Sequence, residues 1–209
     1  MKLIVPFISD KDNGMEKPSR CQLVLNCVNW RNGYPYCPDV KVDLWHNNKS
    51  LFIRYVVTED YTGAETIKDN GEVWKDSCVE LFISFDNAGY YNIESNCIGK
   101  ILMSHRKGRK TDVEYASSEI LESIKRESSL GTKAISCRKI SEPWEMTLEI
   151  PATAFFKHEL EGFSDLQAKC NIYKCGDSLP TPHFISLFPI ETEQPDFHRP
   201  DFFREISFE

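Results

Sequence analysis

Val79-Glu80-Leu81-Phe82-Ile83-Ser84-Phe85 puts Val79, Leu81, Ile83 and Phe85 on one side of an extended chain, and Glu80, Phe82 and Ser84 on the other. Side chains alternate across a strand, so this two-residue period marks a strand with one face in a core. The same arithmetic holds in both directions along the chain. Upstream, Leu51, Ile53, Tyr55 and Val57 share a face whose reverse carries Phe52, Arg54, Val56 and Thr58, so Arg54 points away from the core. Downstream, Trp144, Met146, Leu148 and Ile150 alternate with Glu145, Thr147 and Glu149 up to Pro151, which cannot donate to a ladder.

Further strands are expected at 21–28, 40–45, 90–96, 99–104, 133–140, 168–173, 184–188 and 204–208, separated by turn-rich pieces. Helix is expected in two short pieces. One is 119–127, where Ile120, Leu121 and Ile124 form a stripe, and the other is a turn at 152–157 entered through Pro151. Two short helices cannot alternate with about ten strands in βαβ fashion. The expected fold is therefore all-β, an antiparallel two-sheet sandwich of jelly-roll type, with residues 1–209 forming a single domain. The polar stretch 62–73 reads as a loop bordering a site, and Lys107–Thr111 as a solvated hairpin tip.

Composition excludes several classes. With 25 Lys and Arg against 32 Asp and Glu, the net charge is −7, which disfavours a phosphate backbone as partner. The longest apolar runs are far short of the roughly 20 residues of a membrane span. After Met1-Lys2-Leu3-Ile4-Val5-Pro6-Phe7, Asp10 and Asp12 fall where an export signal would stay apolar. Cytoplasmic location is expected for the chain as written, and an extracellular or periplasmic one if a signal has been trimmed. The eight cysteines read as buried free thiols, with Cys78 and Cys137 inside strand-like segments. Cys21-x5-Cys27 and Cys170-x4-Cys175 lack the spacing of a zinc knuckle, so no metal site is assigned.

No phosphate loop, nucleophile elbow or paired-His motif occurs, which leaves a polar strand face as the place for chemistry. Glu80 lies on one strand; Asn92, Glu94 and Asn96 share one face of the next. On an open sheet these groups would face outward and be solvated. Trp74, just ahead of Glu80, adds an apolar plate. A ring beside carboxylates and amides suits a sugar, whose C–H face packs on the ring while its hydroxyls bond to Glu, Asn and Arg.

Trp74-Lys75-Asp76-Ser77-Cys78-Val79-Glu80-Leu81-Phe82 resembles the family-nine carbohydrate-binding modules, in which a Trp is followed five and six residues later by Val-Glu and then an apolar pair. Asn171-Ile172-Tyr173, His183-Phe184-Ile185-Ser186 and the stretch from Pro195 to Phe203 resemble the C-terminal half of the same modules. The resemblance implies that Trp74 stacks on sugar and that Glu80 and Asn96 bond its hydroxyls. Glu94 stands where the family carries an arginine, which changes the local charge. Leu187 follows Ile185-Ser186 where a second tryptophan would complete an aromatic sandwich. Phe184, Phe188 and Phe197 are unassigned between substitute plates and core. Arg54, Tyr173 and Leu187 are expected to line the same cleft as Trp74, Glu80, Glu94 and Asn96.

The function so implied is non-catalytic binding of a mono- or oligosaccharide in carbohydrate catabolism. No cofactor is assigned, although characterised members carry structural calcium; no dense Asp/Asn loop for that ion stands out here. Two alternatives stay open. Glu80 and Glu94 could form the carboxylate pair of a glycoside-active enzyme, or the aromatic segment from Phe197 to Phe208 could dock on another protein. Oligomeric state is left open.

Overall fold

The computed structural model describes residues 3–9, 20–140 and 142–209. The export-signal reading rests partly on Met1, Lys2, Asp10 and Asp12, which lie outside the described residues. In chain order the strands are β1 (Leu3–Val5), β2 (Cys21–Val24), β3 (Cys27–Val28), β4 (Asp39–His46), β5 (Ser50–Thr58), β6 (Tyr61–Ala64), β7 (Cys78–Ser84), β8 (Tyr90–Asn96) and β9 (Ile101–Arg106). They continue with β10 (Glu114–Tyr115), β11 (Lys125–Ser128), β12 (Ile135–Lys139), β13 (Trp144–Pro151), β14 (Gln167–Cys175), β15 (Phe184–Ser186) and β16 (Arg204–Phe208); helix α1 (Ser118–Ser123) precedes β11.

Two sheets face each other, as the alternating faces require. The larger has nine strands in the order β1-β16-β14-β7-β8-β9-β10, with β15 on the far end of β14 and β3 beside β15. The second has the order β11-β13-β5-β4-β2, and β12 and β6 form a separate ribbon. Among the strands of the described residues, pairing is antiparallel except between β1 and β16, and Phe7 adds an isolated parallel bridge to His46. Val79, Leu81 and Ile83 of β7 meet Leu51, Ile53, Tyr55 and Val57 of β5 and Trp144, Met146, Leu148 and Ile150 of β13, all buried in one core between the sheets. No helix among the described residues is long and apolar enough to cross a membrane.

Several local expectations are corrected. Residues 21–28 are not one strand: β2 pairs with β4 in the smaller sheet and β3 with β15 in the larger, so the chain changes sheet at Leu25 and Asn26. The expected helix 119–127 stops at Ser123, because Lys125–Ser128 finds an open edge and pairs with β13. Ser117 caps the short helix that remains, accepting a hydrogen bond from the Ile120 amide. The expected loop 62–73 begins as strand, since Tyr61–Ala64 pairs with β12.

The outer face of the large sheet is not solvated. Cys78, Phe82, Tyr90, Leu102, Tyr173 and Cys175 are buried there beneath Trp30, Ile190, Phe197 and Phe203, a second apolar layer contributed by two segments without regular sheet structure. Phe197 stacks on Tyr173 with ring centroids 4.2 Å apart and planes 9° apart. The Trp30 indole donates to the Thr192 carbonyl at 2.9 Å, and the Ile190 amide to Asn29 Oδ1 at 2.9 Å. Phe197, Phe203 and Phe208 therefore complete the protein's own cores, which removes the basis for an aromatic docking strip at the C-terminus. At the end of β14, the fully buried Lys174 ammonium lies 2.8 Å from Glu59 Oε2 and donates to the Cys175 carbonyl at 2.7 Å. That ion pair fixes the strand end on which the site is built.

Candidate functional site

A cavity of about 560 Å³ opens where the covering layer leaves the outer face of the large sheet bare. Its floor is Glu80 from β7, Glu94 from β8, Leu102 from β9 and Cys175 from β14. Trp74, half-buried in a turn of 3-10 helix at Val73–Lys75, forms one wall. Tyr34, Phe184, Phe197 and His198 supply apolar surface around it, and Phe184 meets Tyr34 edge-on at 4.8 Å. Arg109, Lys110 and Asp177 stand at the mouth. The 107–111 turn is thus more than a solvated tip: two of its cations border the cavity.

Glu80 and Glu94 are directly opposed across β7 and β8, so their side chains rise together from one face. Burial pushes the Glu80 carboxyl well above the usual carboxylate range, and the neighbouring Glu94 pushes it further. Burial likewise raises Glu94 to about 7, against the lowering effects of the Asn92 hydrogen bond and of Arg106. A polar relay orients Glu94. Arg106 Nε donates to Ser104 Oγ at 2.8 Å, Ser104 donates to Asn92 Oδ1, and Asn92 Nδ2 donates to Glu94 Oε1 at 2.7 Å. Cys175 Sγ donates to Glu80 Oε1 at 3.0 Å and fixes the other carboxyl.

Of the residues singled out from sequence, Trp74, Glu80 and Glu94 meet in this cavity. The other four do not line it. Arg54 lies on the outer face of the smaller sheet, donating to both carboxylate oxygens of Glu145, at 3.1 and 2.8 Å, and to Asp43 at 3.2 Å. A residue outward from one sheet cannot reach a cleft on the outer face of the other. Asn96 is fully buried and spent on structure: its amide donates to Asp76 Oδ2 at 2.8 Å and to the Thr66 carbonyl at 2.9 Å, while its Oδ1 accepts from the Lys100 amide. Tyr173 sits beneath Phe197, its hydroxyl donating to the Phe197 carbonyl. Leu187 packs against the inter-sheet core beyond Ile185, because period two turns 185 and 187 inward and leaves Phe184 for the cavity.

Phe184 and Phe197 therefore occupy the cavity wall, which sequence left undecided. Arg109, Lys110, Asp177 and His198 went unnoticed, since each comes from a loop whose position over β7 and β8 no local pattern announces. Among the described residues, one group of three or more His, Cys, Asp or Glu side chains converges closely enough to hold an ion, namely Cys78, Glu80 and Cys175. Two sulfurs do not suit calcium, a hard ion that takes six to eight oxygens. The calcium implied by resemblance thus finds no matching set of side chains there.

A family model described as carbohydrate-binding family 9 matches residues 10–208. The chain belongs to carbohydrate-binding family 9. Among solved structures, a candidate carbohydrate-binding protein from Bacteroides uniformis is 36% identical, with a TM-score of 0.90 over 100% of this chain and 99% of that one. A family 9 module from Caldicellulosiruptor kristjanssonii solved with glucose is 11% identical, with a TM-score of 0.58 over 100% of this chain and 96% of the other. A module of the same family and organism solved with cellotriose is also 11% identical, with a TM-score of 0.60 over 100% and 94%. At that identity the likeness is one of fold, and it matches the antiparallel sandwich described above. No curated protein matches the sequence.

Proposed function

We propose that this family 9 chain binds a mono- or oligosaccharide non-catalytically in the cavity over β7 and β8, in the service of carbohydrate catabolism. The observation that carries the reading is the meeting of Trp74 with the Glu80 and Glu94 carboxyls on one cavity floor, in a member of a carbohydrate-binding family. An aromatic plate takes the sugar's C–H face, and carboxyls that can donate or accept according to protonation take its hydroxyls. Phe184 and Phe197 supply the apolar surface that Leu187 does not. Binding is favoured over hydrolysis because the family whose model matches this chain is a carbohydrate-binding one.

Calorimetric titration with glucose and cellotriose tests the proposal. Trp74→Ala should lower affinity about tenfold or more, since it removes roughly 0.5–1.5 kcal/mol of ring stacking together with the apolar area that the ring buries against the sugar. Equal affinity in wild type and variant, with the fold intact by circular dichroism, places the cleft elsewhere. New reducing ends released from cellotriose in the same preparation would replace binding by hydrolysis.

A further inference from the structure

The convergent trio in the cavity floor arises from strand register. Cys78 and Cys175 are directly opposed partners on β7 and β14, so both side chains leave the sheet on the same face. Glu80, two residues along β7, shares that face. One ligand atom from each residue lies within 4.8 Å of the other two, all three residues are buried, and Cys175 Sγ is 3.0 Å from Glu80 Oε1. Cys175 and Glu80 also line the cavity, so the trio has a way in from solvent.

We propose that Cys78, Glu80 and Cys175 form a three-ligand site for a thiophilic divalent cation of the zinc class, with its fourth coordination position facing the cavity. Tetrahedral zinc bound to sulfur at about 2.3 Å and to carboxylate oxygen at about 2.0–2.2 Å holds its ligand atoms roughly 3.3–3.8 Å apart. The observed spacing reaches that set by small side-chain rotations, with the two strands already fixing the ligands' directions. Two soft sulfurs select against calcium and magnesium, and three protein ligands beside an open cavity are the arrangement of a zinc site that keeps one exchangeable position. Sequence spacing misses the pair, because β7 and β14 bring together cysteines from opposite halves of the chain.

Cobalt(II) tests this directly, since its bonds to thiolate absorb in the near ultraviolet. Reduced, chelator-treated full-length protein titrated with cobalt should take up one equivalent with a sulfur-to-cobalt band, and zinc should bleach it. Cys78→Ser and Cys175→Ser should each abolish that uptake. Cys37→Ala and Cys137→Ala, at exposed positions outside the trio, should leave it unchanged. If the serine variants fail to fold, X-ray absorption at the zinc edge of the loaded wild type gives the same decision, with two sulfur ligands expected. No one-to-one uptake by wild type, uptake without the thiolate band, or uptake lost in the Cys37 or Cys137 variant overturns the proposal. Sugar titration in the presence of chelator is read separately: binding that persists there supports the carbohydrate reading whichever way the metal experiment falls.

Discussion

Glu94 holds its proton near neutrality because burial penalises the carboxylate more than Asn92 and Arg106 relieve it. Two opposite pH effects follow. Its folded value of about 7 lies above the ordinary 4.5, so the folded state keeps a proton that the unfolded chain has released between those values. Stability from this group is therefore fully present below about pH 4.5 and lost as pH rises through 7. Glu94→Gln removes that loss, so the variant should gain on wild type by about 1–3 kcal/mol between pH 4.5 and 8. The comparison must be a difference, because His183 and His198, each held down to about 3 by burial, favour folding in the opposite sense across the acid range. Sugar binding runs the other way: a hydroxyl donates more strongly to a carboxylate than to a carboxylic acid. Wild-type affinity should rise from pH 5.5 to 8.5, and Glu94→Gln should lose the part of that rise that belongs to Glu94 while Glu80, itself raised by burial, keeps its own. Paired thermal melts and titrations across that range check both statements, and parallel curves for the two proteins would remove Glu94 from the binding floor.

Loop and strand meet at Asn96, whose amide bonds to Asp76 and the Thr66 carbonyl and whose Oδ1 accepts from the Lys100 amide. Asp76 accepts the amides of Glu65 and Thr66 at 3.0 and 3.1 Å, and Asn96 ties that carboxylate to β8. Asn96→Ala leaves Asp76 and the Thr66 carbonyl each short of a buried partner, at a cost of about 1–3 kcal/mol. Its melting temperature should fall, while sugar affinity measured well below the melt stays within a few-fold of wild type; a hundredfold loss of affinity without loss of stability would restore Asn96 as a ligand. Strands such as β5 and β13 were legible because one-sided burial imposes alternation. Lys125–Ser128 was not, for its Lys-Arg-Glu-Ser sequence carries no apolar alternation and its strand state comes from the free edge of β13. Residues 21–28 misled for a related reason: the apolar pattern is continuous although its two halves serve different sheets. In the site, period two put Glu80 and Glu94 on outward faces of successive strands, and the strand register sets them directly opposite each other. Period two could not reveal that Arg54 belongs to the other sheet, since facing outward is the same pattern on either.

At the scale of the molecule, two apolar layers of unequal construction share the large sheet. The inter-sheet core is closed by paired strands on both sides, whereas the outer layer is roofed by the segments around 29–36 and 188–203, held by ring contacts and side-chain bonds such as Trp30 to Thr192. Segments with few ladder bonds open locally at lower free energy than paired strands. Phe197 belongs to both roof and cavity, stacked on Tyr173 and forming part of the cavity wall. Phe197→Ala should cost about 3–5 kcal/mol if the roof cannot collapse onto the space left. Much of that loss should fall on the roof, because β5 and β13 do not touch the ring's layer. Hydrogen exchange distinguishes the outcomes. Amides of the two roof segments should exchange faster in the variant, those of β5 and β13 should keep their protection, and added sugar should slow exchange in the roof of wild type. Equal acceleration in β5, β13 and the roof would mean that the two layers unfold as one unit and that the cavity wall has no independent motion.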